Sequence, residues 1–183
     1  MNNKKNNSNE VKAVFFEWIE ALVTSIVIVV LLFTLFLRVV NISGSSMENT
    51  LHNNDKVILT NFMYENPSAG DIVVVSKAQN LNEPIIKRVI AVEGQTVDIN
   101  FTTGNVSIDN KVIKEPYIKN ATVNNEGMQF PVTVPEGHIF VLGDNRMNSK
   151  DSRSPQIGMI DTRNVVGKAL FVIFPFDRIG GLS

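Results

Sequence analysis

Hydrophobic residues follow two different patterns along this chain, and the two patterns predict two kinds of structure. Residues 21–37 form one uninterrupted run of seventeen residues without a charged side chain. As a helix, this run is about 26 Å long at roughly 1.5 Å per residue, which is close to the roughly 30 Å hydrocarbon core of a bilayer. Trp18 and Arg38 flank the run, as expected of residues at the membrane interfaces. The pattern therefore predicts one transmembrane helix.

Two other interpretations of this run are a buried core helix and a signal peptide that is cleaved. A cleaved signal usually has a shorter apolar region and needs small residues directly before the cut. The only candidate pair, Ser43 and Ser45, comes directly before Ser46, so cleavage there would leave Ser46 at the new N-terminus. A retained anchor is the preferred interpretation.

The charges around the run predict its orientation in the cell membrane. Lys4, Lys5 and Lys12 precede the run, whereas only Arg38 follows it closely. Positive residues favour the cytoplasmic side, so a single-pass protein with a cytoplasmic N-terminus is expected. The predicted segments are a cytoplasmic tail at 1–16, with a disordered polar start at 1–10, the anchor at 17–40 and an extracytoplasmic domain at 41–183.

The pattern changes after the run, where hydrophobic residues occur in short stretches rich in Val and Ile that are separated by turn signals. No stretch after residue 41 has a sustained helical period, so the fold class is mainly β, with antiparallel sheets following the N-terminal helix. Asp109 and Asn110 lie between two such stretches and predict a hairpin turn. The main predicted strands lie at 56–60, 71–77, 84–94, 138–144 and 165–176.

Composition narrows the choices of class and chemistry. With 183 residues, 44% of them hydrophobic, and a net charge of −1, the chain is long enough for one modest domain plus the anchor. The absence of cysteine excludes a disulfide framework and a thiolate metal site, and two histidines do not build a metal site alone. No cofactor and no metal are therefore expected, and nothing in the sequence indicates binding to nucleic acid.

A lysine stands out in the predicted strand at 84–94. Strict alternation would place Ile85, Lys87, Val89 and Ala91 on one face of this strand, so that the lysine has apolar neighbours. An ordinary lysine, with a pKa of about 10.4, is neutral in roughly one molecule in a thousand near pH 7.4, a penalty of about 4 kcal/mol. Burial lowers the pKa of a lysine and so favours a neutral amine that accepts a proton. The alternative is an edge-strand lysine whose amine reaches solvent. The opposite face would carry Ile86, Arg88, Ile90 and Val92.

A candidate nucleophile and a polar cluster accompany this lysine. Ser46 follows the anchor in a segment rich in Gly and Ser, which is also typical of a flexible linker. A serine needs a base within hydrogen-bond reach to become a useful nucleophile. The cluster that follows the predicted strand at 138–144 has two interpretations, a polar turn or a set of groups that orients Lys87 through ion pairs and a hydrogen bond from Ser149. Its members are Asp144, Asn145, Arg146, Ser149, Asp151 and Arg153.

Taken together, these blocks resemble the type I signal peptidases, in particular the single-span kind of Gram-positive bacteria. The family's Ser-Met-x-Pro-Thr-Leu motif corresponds to residues 46–51, and its Gly-Asp-Ile block to residues 70–72. Its Lys-Arg-Val-Ile-Gly block corresponds to residues 87–91, and its Gly-Asp-Asn-Arg-x-x-Ser-x-Asp-Ser-Arg block is intact at 143–153. With the anchor, the resemblance covers nearly the whole chain, and only a predicted variable insertion at about 97–136 matches loosely.

The resemblance implies an all-β catalytic domain and a role for each matching residue. Ser46 is the expected nucleophile, Lys87 its general base, and Ser149 the hydroxyl that orients Lys87. The backbone N–H of Ser46 is expected to form part of the oxyanion hole. The supporting ion pairs that the resemblance implies are formed by Arg88, Asp144, Asp151 and Arg153.

The chain departs from the family pattern at three positions. Some relatives have a hydroxyl side chain two residues before the nucleophile, which completes the oxyanion hole, but here that residue is Gly44. The chain also has Asn49 where the family has proline, and Ala91 where it has glycine.

The resemblance implies a serine endopeptidase that removes signal peptides from exported preproteins and binds small residues before the cut. Its expected partners are those signal peptides and the lipid bilayer, with the secretion translocon as a further candidate. One alternative is a histidine base, for which His138 is the candidate. Another is a pilus-associated homologue that keeps the fold as an assembly factor or binding module. Self-cleaving repressors also use Ser and Lys, but they carry a DNA-binding domain where this chain has a membrane span.

Overall fold

The N-terminal part of the chain is one long helix. The computed structural model describes residues 3–61, 64–76 and 83–182, and helix α1 spans Asn3–Phe36. Its stretch Val14–Phe36 has a mean hydropathy of 2.6 and is the one helix of these described residues long and apolar enough to cross a membrane. The predicted disorder of residues 1–10 is wrong from Asn3 onward, since extending an existing helix requires no new nucleus. The predicted anchor also ends too late, because residues 37–40 belong to a strand.

The rest of the described chain is mainly β, as predicted. Beside the strands, it contains two short 3₁₀ helices, Thr162–Asn164 and Phe176–Arg178. The strands are β1 (Leu37–Asn41), β2 (Lys56–Thr60), β3 (Ile72–Val75), β4 (Ile85–Val92), β5 (Thr96–Asn100), β6 (Asn105–Ile108), β7 (Lys111–Val112), β8 (Val132–Thr133), β9 (His138–Leu142), β10 (Ile160–Asp161), β11 (Val165–Phe174) and β12 (Gly180–Gly181).

These strands form two sheets. The larger sheet has the order β1-β2-β11-β3-β4-β9-β10, with β12 pairing with β11. The smaller sheet, with the order β7-β6-β5-β8, lies within the segment predicted as a variable insertion. The pairings of β2 through β12 are antiparallel, as predicted. Asp109 and Asn110 form the predicted hairpin turn between β6 and β7, with φ angles of 50° and 64°.

Strand β4 is an interior strand of the larger sheet, between β3 and β9. Its alternation is interrupted by a register shift between Val89 and Ala91, where β4 has one residue more than the paired stretch of β9. Ala91 therefore packs in the same hydrophobic cluster as Ile90, so the prediction that it shares a face with Lys87 is wrong. An extra residue in one strand reverses the side-chain direction from that point on. The alternation holds before the shift, where Lys87 pairs with Val73 of β3.

Candidate active site

Ser46 belongs to a tight turn, residues 45–51, that is called the nucleophile turn below. The backbone N–H groups of Thr50 and Leu51 both donate to the carbonyl of Met47, at 2.8 Å. The side chains of Met47 and Leu51 are buried in the core below β2 and β11. Two buried apolar residues thus fix the backbone of the turn, while Ser46 itself is half-buried.

A second segment, residues 143–153, holds the nucleophile turn from the other side and is called the polar loop. The backbone N–H of Asn145 donates to the carbonyl of Ser46 at 3.0 Å. The side-chain amide of Asn145 donates to the carbonyl of Ser45, also at 3.0 Å, and that of Asn148 to the hydroxyl of Ser45 at 2.8 Å. The sequence placed Asn145 in the polar cluster but gave no signal for Asn148.

Gly143, at the start of the polar loop, packs directly against the nucleophile. A Cβ atom at this position would lie 2.5 Å from the carbonyl oxygen of Ser46 and would overlap the hydroxyl of Ser149. Real Cβ atoms do not approach other atoms so closely. Position 143 therefore requires glycine, because Ser46 and Ser149 occupy the space of a side chain.

Lys87 projects from β4 toward Ser46. Its side chain is only 3% exposed, and its amine donates to the hydroxyl of Ser46 at 2.8 Å and to the carbonyl of Ile86 at 2.9 Å. Burial lowers the pKa of Lys87 to about 8, although the nearby carboxylates of Asp151, Asp144 and Glu126 oppose this change. The structure therefore brings together a serine hydroxyl and an amine that loses its proton near neutral pH.

Ser149 lies beside this pair but does not make the hydrogen bond expected from the sequence. Its side chain is 5% exposed, and its hydroxyl has no hydrogen-bond partner among the described residues. The amine of Lys87 bonds instead to Ser46 and to the carbonyl of Ile86. The predicted hydrogen bond between Ser149 and Lys87 is thus not formed in this arrangement.

One buried ion pair connects the nucleophile turn to the polar loop. Arg88 donates from Nε and Nη2 to the two carboxylate oxygens of Asp144, at 3.0 and 2.9 Å, and both side chains are buried. Asp144 also accepts a hydrogen bond from the hydroxyl of Thr50. Arg88 donates in addition to the carbonyl of Gly70, at 2.9 Å. The pair therefore joins β4, the turn and the loop.

A second buried pair shapes the polar loop itself. Arg153 donates to the two carboxylate oxygens of Asp151, at 2.8 and 2.9 Å. Asp151 accepts from the backbone N–H of Gly143 at 3.1 Å, and Arg153 donates to the carbonyl of Ser149 at 3.2 Å. The pair thus fixes the two residues that pack around Ser46.

Sequence reasoning placed a third buried cation, Arg146, in the polar cluster but missed its partners. Arg146 donates to the carbonyl of Gly143 at 2.9 Å and forms a two-pronged ion pair with the carboxylate of Glu115. It also donates to the hydroxyl of Thr122. Glu115 and Thr122 belong to the segment predicted as a variable insertion, and no local pattern marks them as site residues.

Gly44, two residues before Ser46, has no side-chain hydroxyl and adopts a backbone conformation with a positive φ angle. Gly44 has a φ of +91° and donates its N–H to the side chain of Asn53 at 3.0 Å. A side chain would have free space there, but this φ strains any residue with a Cβ. In the described part of the chain, the backbone N–H of Ser46 donates no backbone hydrogen bond.

A groove leads to the Ser46 and Lys87 pair. It has a volume of about 550 Å³, and its walls are mostly aliphatic. Val40, Ile42, Val74, Ile85 and Ile86 line it together with Asn41, Ser43, Glu83, Pro84 and the two reactive residues.

The histidine considered as an alternative base lies elsewhere. The ring of His138 contacts the carbonyl of Glu136 at 2.7 Å, and the residue lines a separate cavity with Met128 and Met159. Among the described residues, no group of three or more metal-ligating side chains is present.

Comparisons with known proteins identify the family to which this chain belongs. The profile of the family "Signal peptidase, peptidase S26" matches residues 15–174. Signal peptidase I of Bacillus licheniformis is 33% identical over 190 residues, covering 97% of this chain and 94% of the relative. Signal peptidase I T of Bacillus subtilis (strain 168) is 33% identical and covers 98% of both chains. The crystal structure of a signal peptidase I from Enterococcus faecalis V583 is 28% identical, covers 57% of this chain and 97% of that one, and superposes with a TM-score of 0.47.

The chain belongs to the signal peptidase family, peptidase S26. It is accordingly a hydrolase, a protease of the signal peptidase I type.

Proposed function

We propose that this chain is a membrane-anchored serine endopeptidase that removes N-terminal signal peptides from exported preproteins, with Ser46 as nucleophile and Lys87 as general base. The observation that carries this proposal is the 2.8 Å contact between the amine of Lys87 and the hydroxyl of Ser46. A nucleophile and a base within hydrogen-bond reach are the geometry that acyl transfer requires.

The low pKa of Lys87 makes the amine a usable base. With a pKa of about 8, roughly one molecule in five has a neutral amine near pH 7.4, a penalty of about 1 kcal/mol. The penalty for an ordinary lysine is about 4 kcal/mol. Burial therefore removes most of the free-energy penalty for keeping the amine of Lys87 neutral.

The reaction proceeds in two halves. The neutral amine of Lys87 takes the proton of the Ser46 hydroxyl as the oxygen attacks the carbonyl carbon of the scissile peptide. The C–N bond then breaks, Lys87 gives its proton to the leaving amine of the mature protein, and the signal peptide remains as an ester on Ser46. Lys87 next takes a proton from a water molecule as the water oxygen attacks the ester carbonyl. The C–O bond to Ser46 then breaks, Lys87 returns the proton to the Ser46 oxygen, and the signal peptide leaves with a free carboxyl group.

The oxyanion that forms during attack needs donors, and Ser46 supplies one with its backbone N–H, which donates no backbone hydrogen bond to a described residue. A hydroxyl is absent at position 44, so the second donor is a backbone group or a water molecule. Loss of one oxyanion-hole donor raises the activation free energy by about 3 kcal/mol. The rate constant of this enzyme is therefore expected to be lower than that of relatives with a hydroxyl at this position.

The aliphatic groove suits an extended peptide with small side chains. Val40, Ile42, Val74 and Ile86 line the groove together with Ser46 and make its walls mostly aliphatic. A peptide that lies along the groove presents alternate side chains to its walls. We infer that small residues such as alanine at the first and third positions before the cut are accepted, as in exported preproteins.

The membrane location rests on the sequence of the anchor. Ser46 follows the end of the apolar run at residue 37 by nine residues, which keeps the site near the membrane surface where signal peptides end. The N-terminus is cytoplasmic and the catalytic domain is on the outer side of the cell membrane, given the excess of lysine before the run. The bilayer and the secretion translocon are the proposed partners besides the preprotein.

The buried polar groups have proposed supporting roles. The Arg88–Asp144 and Asp151–Arg153 pairs hold the turn and loop that carry Ser46 and Gly143. The unpartnered hydroxyl of Ser149 is an acceptor for the Lys87 ammonium once the oxygen of Ser46 is bonded to the substrate carbon. An assembly factor without catalysis is not favoured, since an amine with a lowered pKa in contact with a serine has no structural need.

The test is cleavage of a purified preprotein by the full-length protein in lipid vesicles. Ser46→Ala and Lys87→Ala are each expected to lower the rate at least 1000-fold, because each removes one half of the reacting pair. Ser107→Ala and Lys111→Ala, in the smaller sheet, are matched controls and are expected to retain full activity. Unchanged cleavage by Ser46→Ala would contradict the proposal, and activity that survives Lys87→Ala but not His138→Ala would assign the base to His138.

A further inference from the structure

Arg146 is a fully buried cation whose charge is balanced by one carboxylate among the described residues, that of Glu115. Its side chain is 0% exposed, that of Glu115 is 6% exposed, and the two groups form an ion pair with two hydrogen bonds. The remaining donors of Arg146 go to the hydroxyl of Thr122 and to the carbonyl of Gly143. Without Glu115, Arg146 would be a buried charge without a counter-ion.

The segment that carries Glu115, residues 115–122, contacts the polar loop and its partners at further points. The ring of Tyr117 lies 3.9 Å from the guanidinium of Arg88, and its hydroxyl donates to Glu115 at 3.2 Å. The backbone N–H of Lys119 donates to the carbonyl of Asp144 at 2.9 Å. Residues 115–122 therefore pack against two of the three buried arginines, Arg88 and Arg146.

The same segment contacts the nucleophile turn only at its surface. The amine of Lys119 pairs with Glu48 at 2.6 Å, and these side chains are 43% and 24% exposed. The side-chain amide of Asn49 donates to the carbonyl of Ile118 at 3.4 Å, which is a long hydrogen bond. Solvent screens these contacts, so the exposed Lys119–Glu48 pair serves as a control for the buried Arg146–Glu115 pair.

We propose that Glu115 is a positioning residue for peptide cleavage. Glu115 holds Arg146, and Arg146 fixes the carbonyl of Gly143. The position of Gly143 in turn determines how it packs against Ser46 and Ser149. This inference rests on the proposed function, in which Ser46 is the nucleophile. Gly143 touches the carbonyl of Ser46 and the hydroxyl of Ser149 with no free space between them. A shift of the Gly143 backbone is therefore transmitted to the nucleophile.

The expected signature is a loss of kcat without a change in substrate binding. A misplacement of about 1 Å in a reacting group costs on the order of 100-fold in rate. Residues 115–122 do not line the groove that leads to Ser46, so KM is expected to remain within about twofold. A role confined to stability would instead lower the melting temperature and leave kcat per folded molecule unchanged.

Two variants test this role in the full-length protein in vesicles. Glu115→Gln keeps the shape of the side chain and removes its charge, and Thr122→Val removes one partner of Arg146 with little change in volume. Cleavage of a preprotein is measured with the folded fraction determined by resistance to trypsin. A decrease of kcat by 10-fold to 100-fold is expected for Glu115→Gln, and a smaller decrease for Thr122→Val. Lys119→Met, which removes the exposed pair on the same segment, is the control and is expected to keep kcat within about twofold.

The outcomes separate this inference from the proposed function. Retention of parental kcat by folded Glu115→Gln, or an effect on KM alone, would overturn the positioning role. If Glu115→Gln does not fold, the Thr122→Val variant decides: a kcat equal to that of the parent protein would overturn the positioning role. Cleavage that survives Ser46→Ala would overturn the proposed function itself, whereas loss of cleavage in that variant together with unchanged kcat in the other two overturns only the role of Glu115.

Discussion

The amine of Lys87 contacts the hydroxyl of Ser46 at 2.8 Å, although the two residues are 41 positions apart in the chain. Lys87 belongs to the interior strand β4, whereas Ser46 belongs to a turn outside the sheets. The turn is held in place by Asn145, whose backbone and side chain both donate to it. The contact therefore depends on the polar loop as much as on the two residues themselves.

Gly143→Ala is expected to abolish cleavage. The added methyl group would overlap the hydroxyl of Ser149 and lie 2.5 Å from the carbonyl of Ser46, so the turn must move away from Lys87. A loss of at least 100-fold in kcat is predicted, with a destabilisation of about 1–3 kcal/mol from overpacking. Gly180→Ala is the matched control, because the nearest atom to its added methyl lies at 4.0 Å. Parental activity in Gly143→Ala would show that the packing around Ser46 is not required.

Asp144→Asn is expected to destabilise the domain and to lower the pKa of Lys87, the proposed base. The substitution leaves the buried guanidinium of Arg88 without a counter-ion, which costs about 3–5 kcal/mol. Asp144 also raises the pKa of Lys87, so its loss is expected to move the acidic limb of the activity profile to lower pH. Thermal unfolding and the pH dependence of cleavage measure the two effects. Asp161→Asn, which breaks an exposed pair with Arg163, should alter neither measurement noticeably.

Lys87 is also expected to make stability depend on pH. Its pKa is about 8 in the folded protein and near 10.5 in the unfolded chain, so the unfolded chain binds more protons between these values. Stability should therefore rise as the pH increases from about 8 to 10.5, by up to about 3 kcal/mol. Lys87→Met removes this contribution while the other groups stay the same. Thermal unfolding of both proteins in detergent across this pH range measures the difference, and parallel curves would argue against a buried lysine with a lowered pKa.

Most of the fold was predictable from local patterns. The predicted strands at 56–60, 71–77, 84–94, 138–144 and 165–176 contain β2, β3, β4, β9 and β11, since alternating Val and Ile residues between turn signals define strands locally. The register shift beside Ala91 was not predictable, because a bulge depends on the partner strand. The helical start at Asn3 was missed because polar composition does not show whether an adjacent helix continues.

The candidate site was only partly predictable, and for a physical reason. Burial of Lys87 followed from its apolar neighbours, but its contact with Ser46 was implied by the family resemblance, since no local pattern connects two residues so far apart. The pairing of Arg146 with Glu115 joins residues 31 positions apart and has no signal in composition or period. The amine of Lys87 bonds to Ser46 and to the carbonyl of Ile86, and the hydroxyl of Ser149 makes no hydrogen bond to another described residue, a side-chain geometry that the sequence does not specify.

The central claim is that a neutral Lys87 amine activates Ser46, and the pH dependence of kcat/KM for preprotein cleavage tests it most directly. The full-length protein in vesicles is measured from pH 6 to 9.5. The account predicts that activity rises with pH along a single limb with its midpoint near 8, since burial lowers the pKa of Lys87 to about 8. A rate that does not change across this range, or a midpoint near 6.5 as expected of a histidine, would contradict it.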